Sequence, residues 1–544
     1  MKILFFVLLI SMTIACDHVT RDDCDLIVHN ATIYSVNEQF EIFQAMAIKD
    51  GRILELGAER QILNKYKAKE KYDAATKVIY PGFIDAHCHF MGYGLNKQKL
   101  DLAGTSSWKE VLELTKAYGG SNPNKPWIIG RGWDQNDWDV NEYPTNEDLN
   151  ELFPHRPVLL QRIDGHAAIA NQAALNHAGL NEETYVEGGV LEVKDGKPTG
   201  LLIDNAVDVY QQFFSDAPDA DKIEALLKAQ SDLFKVGVTS VQDAGLDVGS
   251  IKIIKTLQDS SDLLMRVYAM VADHEENYPY LKENGPIKTD RLNVRSIKIY
   301  ADGALGSRGA LLLEPYSDVD STHYGLMLHT AKHIKEKAEW ALKNGFQVNT
   351  HCIGDSAIRT VLNIYGDILG DATDARWRIE HVQVMHPEDI SKFREFGVIP
   401  SVQPTHATSD MYWAEERIGP ERIKTAYALN TLKDQLGWLP LGTDFPVESI
   451  DPLNTFYAAT VRKDHKGWPE NGFQMSDALT REDALRGITI WAALAAFEEN
   501  EKGSLEPGKF ADFVILDRNI LQVPEEDLLK SKTVATFIGG QQVY

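Results

Sequence analysis

The sequence predicts an α/β protein built on a (β/α)8 TIM barrel, and three observations lead to that prediction. Apolar, strand-like runs alternate with helical stretches through the middle of the chain. Five of those runs end in a side chain of the kind that binds metal ions, and active residues at strand ends are typical of TIM barrels. Both ends of the chain consist instead of short strands broken by turns, which favours one small β-sandwich built from the two termini.

Length and charge limit the classes of protein to consider. The chain has 544 residues, which is too long for a single core, so more than one domain is expected. Its 44% hydrophobic and 25% charged residues are typical of a globular protein in water. The net charge of -25 argues against a nucleic-acid partner, because phosphates would be repelled. We expect a small-molecule substrate and no nucleic acid, and a homodimer is considered as well.

The N-terminus resembles an export signal. Residues 1–15 contain one early lysine and an apolar run that is too short to span a membrane, and Cys16 follows them. A cysteine at this place resembles a bacterial lipobox, although Thr13 stands where leucine is usual. We therefore expect a periplasmic or cell-envelope protein that meets the membrane only through a lipid on Cys16. Ordinary signal cleavage and a buried N-terminal helix are the alternatives.

The pattern of elements predicts the domain boundaries. We expect the sandwich to combine residues 16–80 with 496–544, and the barrel to occupy residues 81–495. The gap between the first two barrel strands is far longer than a normal connection, so residues from about 92 to 230 are interpreted as a subdomain inserted over the barrel mouth. The helical period of residues 331–344, followed by Gly345, illustrates the helices between the strands.

The strand-ending residues suggest a metal centre. Nitrogen and oxygen ligands of this kind suit Zn²⁺ and related divalent ions, and such ions can turn water into hydroxide near neutral pH. The segments are VIYPGFIDAHCH with His87 and His89, VRSIKIYADG with Lys298, FQVNTHCIGD with His351, WRIEHVQ with His381 and LPLGTDFPV with Asp444.

Each of these residues has a simpler interpretation. The histidines can be buried and hydrogen-bonded, Lys298 can reach the surface, and Asp444 can cap the following segment. Because the other ligand-type residues occupy matching positions at strand ends, the metal site is favoured for each of them. Cys88 and Cys352 each follow a ligand-type histidine, and we interpret them as core residues that do not form a disulfide with each other.

Four further residues are weaker candidates for substrate contacts. His166 and His406 can reach the barrel mouth, with ordinary loop histidines as the alternative. Arg308 can hold a substrate carboxylate or form a structural ion pair. Trp133, together with Trp138, can form an aromatic pocket wall or belong to the core.

The ordered motifs resemble the amidohydrolase superfamily, in the group that includes N-substituted formamide deformylase. PGFIDAHCH, KIYADGALGSRGA, HCIGD, IEHVQ and GTDFPV are similar to its strand signatures, and GRGWDQNDW and RPVLLQRIDGHAAIANQAAL to its insertion. The resemblance implies two divalent metal ions, with Zn²⁺ expected. It assigns His87, His89 and Asp444 to the first ion and His351 and His381 to the second. It implies that Lys298 carries carbon dioxide as a carbamate, which bridges the two ions.

The expected function is hydrolysis of a non-peptide carbon–nitrogen bond in a small N-acyl, N-formyl or cyclic amide. In this scheme a hydroxide between the metals attacks the carbonyl carbon, and catalytic Asp444 moves the proton to the leaving amine. Two alternatives stay open. One is ester hydrolysis, deamination or isomerisation on the same barrel, because a fold does not fix its chemistry. The other is a non-catalytic lipoprotein that binds a ligand in an inactive barrel.

Overall fold

The computed structural model describes residues 21–210, 217–319, 321–370 and 374–544. The expected signal segment and Cys16 lie outside these residues, so the structure does not test them. None of the described helices is both long enough and apolar enough to cross a membrane.

A parallel β-barrel forms the centre of the molecule. Seven parallel strands follow one another around it in chain order, and most of their residues are buried, as in a sheet covered by helices. The strands are Phe83–Cys88, Val238–Leu246, Arg266–Ala272, Leu292–Tyr300, Gln347–Cys352, Arg378–His381 and Ile399–Ser401. A short strand, Ile287–Lys288, pairs antiparallel with the fourth of them.

An eighth segment closes the ring between the last strand and the first. Leu441 bridges Val402 in parallel, and its carbonyl accepts a hydrogen bond from Ala86 N at 3.2 Å. Asp444 N donates to His87 O at 2.8 Å. Gly442 permits this approach, since a Cβ there would lie 2.5 Å from His87 N. Eight segments therefore occupy barrel positions, as a (β/α)8 barrel requires, and the predicted fold class is confirmed.

Helices surround the barrel, and one helix covers its lower end. The predicted helix at residue 331 is present as Ala331–Asn344, and Gly345 ends it at a φ of 76°. Ile490–Ala495 lies across the amino-terminal end of the strands, where Gln242 and Gln347 donate to the carbonyls of Ala492 and Ala495. The other helices of this part are Phe90–Asn96, Asp219–Lys235, Val248–Asp259, Tyr278–Asn284, Asp355–Leu369, Ile390–Phe396, Pro404–Asp410, Ala414–Arg422, Leu429–Leu436, Pro452–Thr460 and Arg481–Gly487.

The two chain ends form one sandwich of two sheets. The first sheet contains N-terminal strands alone, in the order Arg52–Gly57, Ala45–Lys49, Asp22–His29 and Tyr66–Asp73. The second mixes both ends, in the order Gln541–Gln542, Thr533–Ile538, Phe513–Leu516, Val78–Pro81, Thr32–Tyr34 and Ile42–Phe43. Short helices Glu59–Lys65 and Glu525–Leu528 accompany them. Apolar residues between the sheets, such as Ile33 and Phe513, are fully buried.

The insertion between the first two barrel strands has its own sheet and core. Its helices are Trp108–Ser121, Glu147–Leu152, Gln172–Ala178 and Asn205–Asp208. Its strands run in the order Gly189–Lys194, Lys197–Asp204, Ala167–Ala170, Val158–Arg162, Ile128–Trp133 and Leu100–Asp101. The helix Asp219–Lys235 begins within the expected insertion but packs against Phe90–Asn96 and the second barrel strand. It therefore belongs structurally to the barrel.

The cysteines of the described residues behave as core side chains. Cys24, Cys88 and Cys352 are free and buried, so the expectation that Cys88 and Cys352 form no disulfide is confirmed.

Candidate metal centre

A cavity of about 820 Å³ opens at the carboxyl ends of the barrel strands. The barrel supplies its floor, with His89, Lys298, His351, His381 and Asp444 among the lining residues. The insertion supplies part of its wall. The insertion residues that line the cavity include Arg131, Asp134, Arg162, Asp164, His166 and Asp204.

Three buried side chains at the floor are spaced like metal ligands. One ligand atom each from His87, His381 and Asp444 lies within 4.8 Å of the others. Asp444 Oδ1 is 3.5 Å from His87 Nε2 and 3.2 Å from His89 Nε2. The first strand and the eighth segment therefore bring His87, His89 and Asp444 to one point, as the sequence motifs imply.

Lys298 and His351 complete the group on the opposite side. Lys298 Nζ lies 3.3 Å from His87 Nε2. The His351 and His381 rings are in edge contact, with centroids 4.4 Å apart. All six expected ligands thus surround one region of the cavity floor.

The protonation and the hydrogen bonding of these groups fit a divalent cation. His351 Nε2, His381 Nδ1 and Asp444 Oδ1 are buried and have no hydrogen-bond partner among the described residues. Such atoms normally find a partner, and a metal ion would supply one. Burial, followed by neighbouring His and Lys groups, holds the pKa values of His351 and His381 well below the ordinary range. Both rings are therefore neutral, which is the form that binds metals.

Backbone strain marks two of the ligands. His381 has a φ of 74° and Asp444 a φ of 62°, both in the left-handed region that residues other than glycine seldom adopt. Strain of this kind costs ~1–3 kcal/mol and is concentrated at functional sites. At His381 it also turns the side chain into the cavity, although Glu380 beside it already points into the barrel.

Glu380 is a functional residue that the sequence reasoning missed. Its Oε2 accepts a hydrogen bond from His87 Nδ1 at 2.6 Å, and its Oε1 pairs with Arg378 Nε at 2.7 Å. Burial opposes its charge, but Arg378 and His87 lower the pKa of Glu380 below its usual range. A carboxylate on Nδ1 fixes the tautomer of His87 and leaves Nε2 free for a metal. Its position next to His381 in WRIEHVQ was the available signal.

His406 extends the centre toward the cavity. Its Nε2 lies 3.5 Å from Asp444 Oδ2 and its Nδ1 lies 3.2 Å from Glu448 Oε1. Burial favours the neutral ring, but the contacts with Asp444 and Glu448 raise the pKa of His406 to about 10. His406 is therefore a cation that helps to keep Asp444 ionised.

His166 reaches the cavity from the insertion. Its Nδ1 lies 2.8 Å from Asp204 Oδ1, and its ring centroid is 5.2 Å from that of His351. Burial favours the neutral ring, but Asp204 and Asp164 raise the pKa of His166 to about 9. The structure therefore places a cationic imidazole opposite the barrel ligands.

Arg308 and Trp133 are not in the cavity wall, so these two substrate-binding predictions are corrected. Arg308 forms a two-point ion pair with Asp318, at 2.9 and 3.3 Å. Trp133 is fully buried in the core of the insertion, where its indole donates to Leu160 O at 2.8 Å. Trp138 packs in the same core.

Arg131 is a cavity residue that the sequence reasoning did not single out. One of its terminal nitrogens donates to Ile163 O at 2.9 Å, and its Nε has no hydrogen-bond partner in the described structure. Burial lowers the pKa of Arg131. A guanidinium is always charged in proteins, so Arg131 adds a cation to the cavity wall.

Known proteins share this architecture over nearly the whole chain. A solved uncharacterised metal-dependent hydrolase from Pyrococcus horikoshii superposes with a TM-score of 0.74 at 28% identity, covering 92% of this chain and 99% of the other. The putative amidohydrolase YtcJ of Bacillus subtilis is 32% identical, covering 95% and 98%. N-substituted formamide deformylase of Arthrobacter pascens is 25% identical, covering 95% and 97%.

A family model described as "Amidohydrolase family" matches residues 70–544. That range includes the whole barrel, the insertion and all six residues around the cavity floor. The predictions of the superfamily and of an enzyme are therefore confirmed. The chain belongs to the amidohydrolase family of hydrolytic enzymes.

Proposed function

We propose that the protein hydrolyses a non-peptide carbon–nitrogen bond in a small N-acyl, N-formyl or cyclic amide. The observation that carries this proposal is the group of six ligand-type side chains around the cavity floor. Among the described residues, buried atoms of His351, His381 and Asp444 in this group have no hydrogen-bond partner. The similarity to a formamide deformylase over 95% of the chain supports the choice of an amide.

The donor set fits two divalent ions, for which we propose Zn²⁺. His87, His89 and Asp444 would hold one ion, and His351 and His381 the other. Ions held there would supply Lewis-acid chemistry, which lowers the pKa of water and polarises a carbonyl oxygen.

Lys298 fits the bridging role if it is carboxylated. Burial lowers the pKa of Lys298 to about 8, so part of the population has a neutral amine at neutral pH. A neutral amine adds to carbon dioxide, forming one nitrogen–carbon bond and releasing one proton. The carbamate replaces a cation by two anionic oxygens, which removes the repulsion between Lys298 and metal ions.

The protein's own groups then move the proton and hold the substrate. Burial opposes charge on Asp444, but His406 and His89 outweigh it and hold its pKa well below the usual range. Asp444 is therefore ionised and can accept a proton from the attacking water and return it to the leaving amine. His166 carries positive charge opposite the metal ligands and is placed to stabilise negative charge on the substrate oxygen.

A substrate panel with an Asp444→Asn variant tests the proposal. Metal-loaded protein should release amine from N-formyl, N-acyl or cyclic amides, and Asp444→Asn should bind metal and yet lose turnover, because asparagine cannot accept the proton. Turnover of esters or aminopurines without any amide would replace the proposal by another reaction on the same barrel. An Asp444→Asn sample with unchanged kcat would remove Asp444 from the mechanism.

A further inference from the structure

We propose an additional divalent-metal site, formed by Asp273, His329 and His333 on the wall of the cavity. One ligand atom from each residue lies within 4.8 Å of the other two. Asp273 follows the third barrel strand, whereas His329 and His333 flank the start of the helix Ala331–Asn344. None of the three belongs to the six residues of the cavity floor.

The contacts among the three side chains leave the ring nitrogens of His329 available to bind an ion. His333 Nε2 lies 2.6 Å from Asp273 Oδ2, and the His329 ring stacks on the His333 ring at a centroid distance of 4.5 Å. In the described part of the chain, the His329 ring has no hydrogen bond or ion pair. A free imidazole beside a histidine–carboxylate pair is therefore available as a third ligand.

The chemistry of this group suits zinc or a related ion. Two histidines separated by three residues, with one carboxylate, are a common donor set for zinc, which binds them at ~2.0–2.2 Å. Ligand atoms on one tetrahedral ion lie about 3.3 Å apart, so His333 and Asp273, now 2.6 Å apart, must separate slightly while the His329 ring moves in. Burial, followed by the charge of His333, lowers the pKa of His329, which favours the neutral, ligating ring.

The surroundings fix the carboxylate and permit access. Tyr278 OH donates to Asp273 Oδ1 at 2.6 Å, which leaves Oδ2 directed at His333. The Asp273 side chain is only 5% exposed, whereas that of His333 is 31% exposed. Two features oppose a cation here: Lys337 lies over the Tyr278 ring at 4.1 Å, and His333 is in the first turn of a helix, whose dipole is positive. The Asp273 carboxylate offsets both.

An ion at this position lies beside the substrate space, because Asp273 and His329 both line the cavity. Three protein ligands leave one coordination position open on zinc. The site therefore supplies an additional place for an anionic group of a bound molecule, separate from the cavity floor. This inference does not depend on the proposed reaction.

Metal counting on full-length variants tests the site. The full chain, His329→Gln and His333→Gln are dialysed against Zn²⁺ and analysed for bound metal. Each substitution should remove one ion per chain. His29→Gln is the matched control, since His29 pairs with Glu59 at 2.9 Å on the sandwich, outside the metal-type clusters of the described residues, and should leave the count unchanged.

The same substitutions are also made with Asp444→Ala, which removes an expected ligand of the cavity floor. The loss of one ion should persist in that background. An anomalous-diffraction peak at the zinc edge should lie between Asp273, His329 and His333. His329→Gln removes no hydrogen bond of the described structure, so it keeps the test valid if His333→Gln fails to fold. Equal zinc counts in the full chain and in His329→Gln, or no peak at this position, would overturn the proposal.

Discussion

At the scale of single residues, the candidate centre depends on groups that hold the ligands as well as on the ligands. His87 is held by Glu380, and Glu380 is held by Arg378. Asp444 is held by His406. The sequence shows the ligands, because each ends an apolar run, but it does not show that Glu380, Arg378 and His406 hold them. Arg378 and Glu380 resemble ordinary polar strand residues until the barrel places them inside.

Glu380→Gln should weaken metal binding and leave the fold intact. Glutamine is nearly isosteric but is a weaker acceptor for His87 Nδ1, so His87 becomes a poorer ligand. Loss of such a partner typically costs ~10–100-fold in metal affinity or activity. Competition with a chelator measures the change. The exposed Glu388→Gln is the control, and equal metal affinity in both variants would show that Glu380 does not support the centre.

Lys298→Ala should lose metal affinity and activity together, because it removes the proposed bridging carbamate. Short carboxylic acids, such as acetate, should partly restore both by occupying the vacated position, and acetate should not activate the unmodified protein. Metal content and amine release are measured with increasing acetate. A Lys298→Ala protein that keeps its full metal content without acetate would rule out the bridge.

At the scale of elements, alternation along strands explains which side chains could be predicted. Gln347, Asn349 and His351 alternate with outward residues in a regular strand, so His351 was predictable from spacing. His381 was predicted from its place at the end of a strand, but alternation alone would not put both it and Glu380 inside, and the left-handed backbone turns His381 into the cavity. The sequence left Arg308 open between a substrate contact and an ion pair, because its partner, Asp318, lies ten residues away in an irregular loop.

The lower end of the barrel contains a buried ion cluster that makes stability depend on pH. Glu498 lies 2.7 Å from Lys288 and 2.6 Å from Lys502. Burial opposes its charge, but the two lysines together lower the pKa of Glu498. A lowered pKa contributes stability above the unfolded value of about 4.3, and that contribution is lost as the pH falls toward the folded pKa.

Glu498→Gln should therefore lower the free energy of unfolding at pH 7 and have a smaller effect near pH 3 to 4. Denaturant unfolding at a series of pH values measures the difference between the two proteins. Glu525→Gln, at an exposed carboxylate, is the control. A difference that stays constant between pH 7 and the acid limit would contradict the role assigned to the Glu498 charge.

At the scale of the whole molecule, the sequence predicted the architecture well because each part has its own pattern. Continuous apolar runs predict barrel strands, and short strands with turns predict the sandwich. The mixed sheet joins strands from both chain ends, as the similar texture of the termini suggests. The shape of the cavity could not be predicted, because residues of the insertion and of the barrel meet there only after folding.

The N-terminal segment leads to a prediction about location. Cys16 should become the lipid-modified first residue of the mature protein, and Cys16→Ser should move the protein from the membrane to the soluble periplasmic fraction. Cys24→Ser is the matched control, because Cys24 is buried in the sandwich. Fractionation of the cells and intact-mass analysis measure the outcome. An unmodified N-terminus on the protein from its native host would exclude the anchor.

The central claim is that the six residues around the cavity floor hold two metal ions, and anomalous diffraction from zinc-loaded crystals tests it most directly. The account predicts two zinc peaks at the floor, with density for a carboxylated Lys298 between them. One peak should lie at bonding distance from His87, His89 and Asp444, and the other at bonding distance from His351 and His381. A floor without zinc, or an unmodified Lys298 directed away from the ions with His351 and His381 unligated, would contradict it.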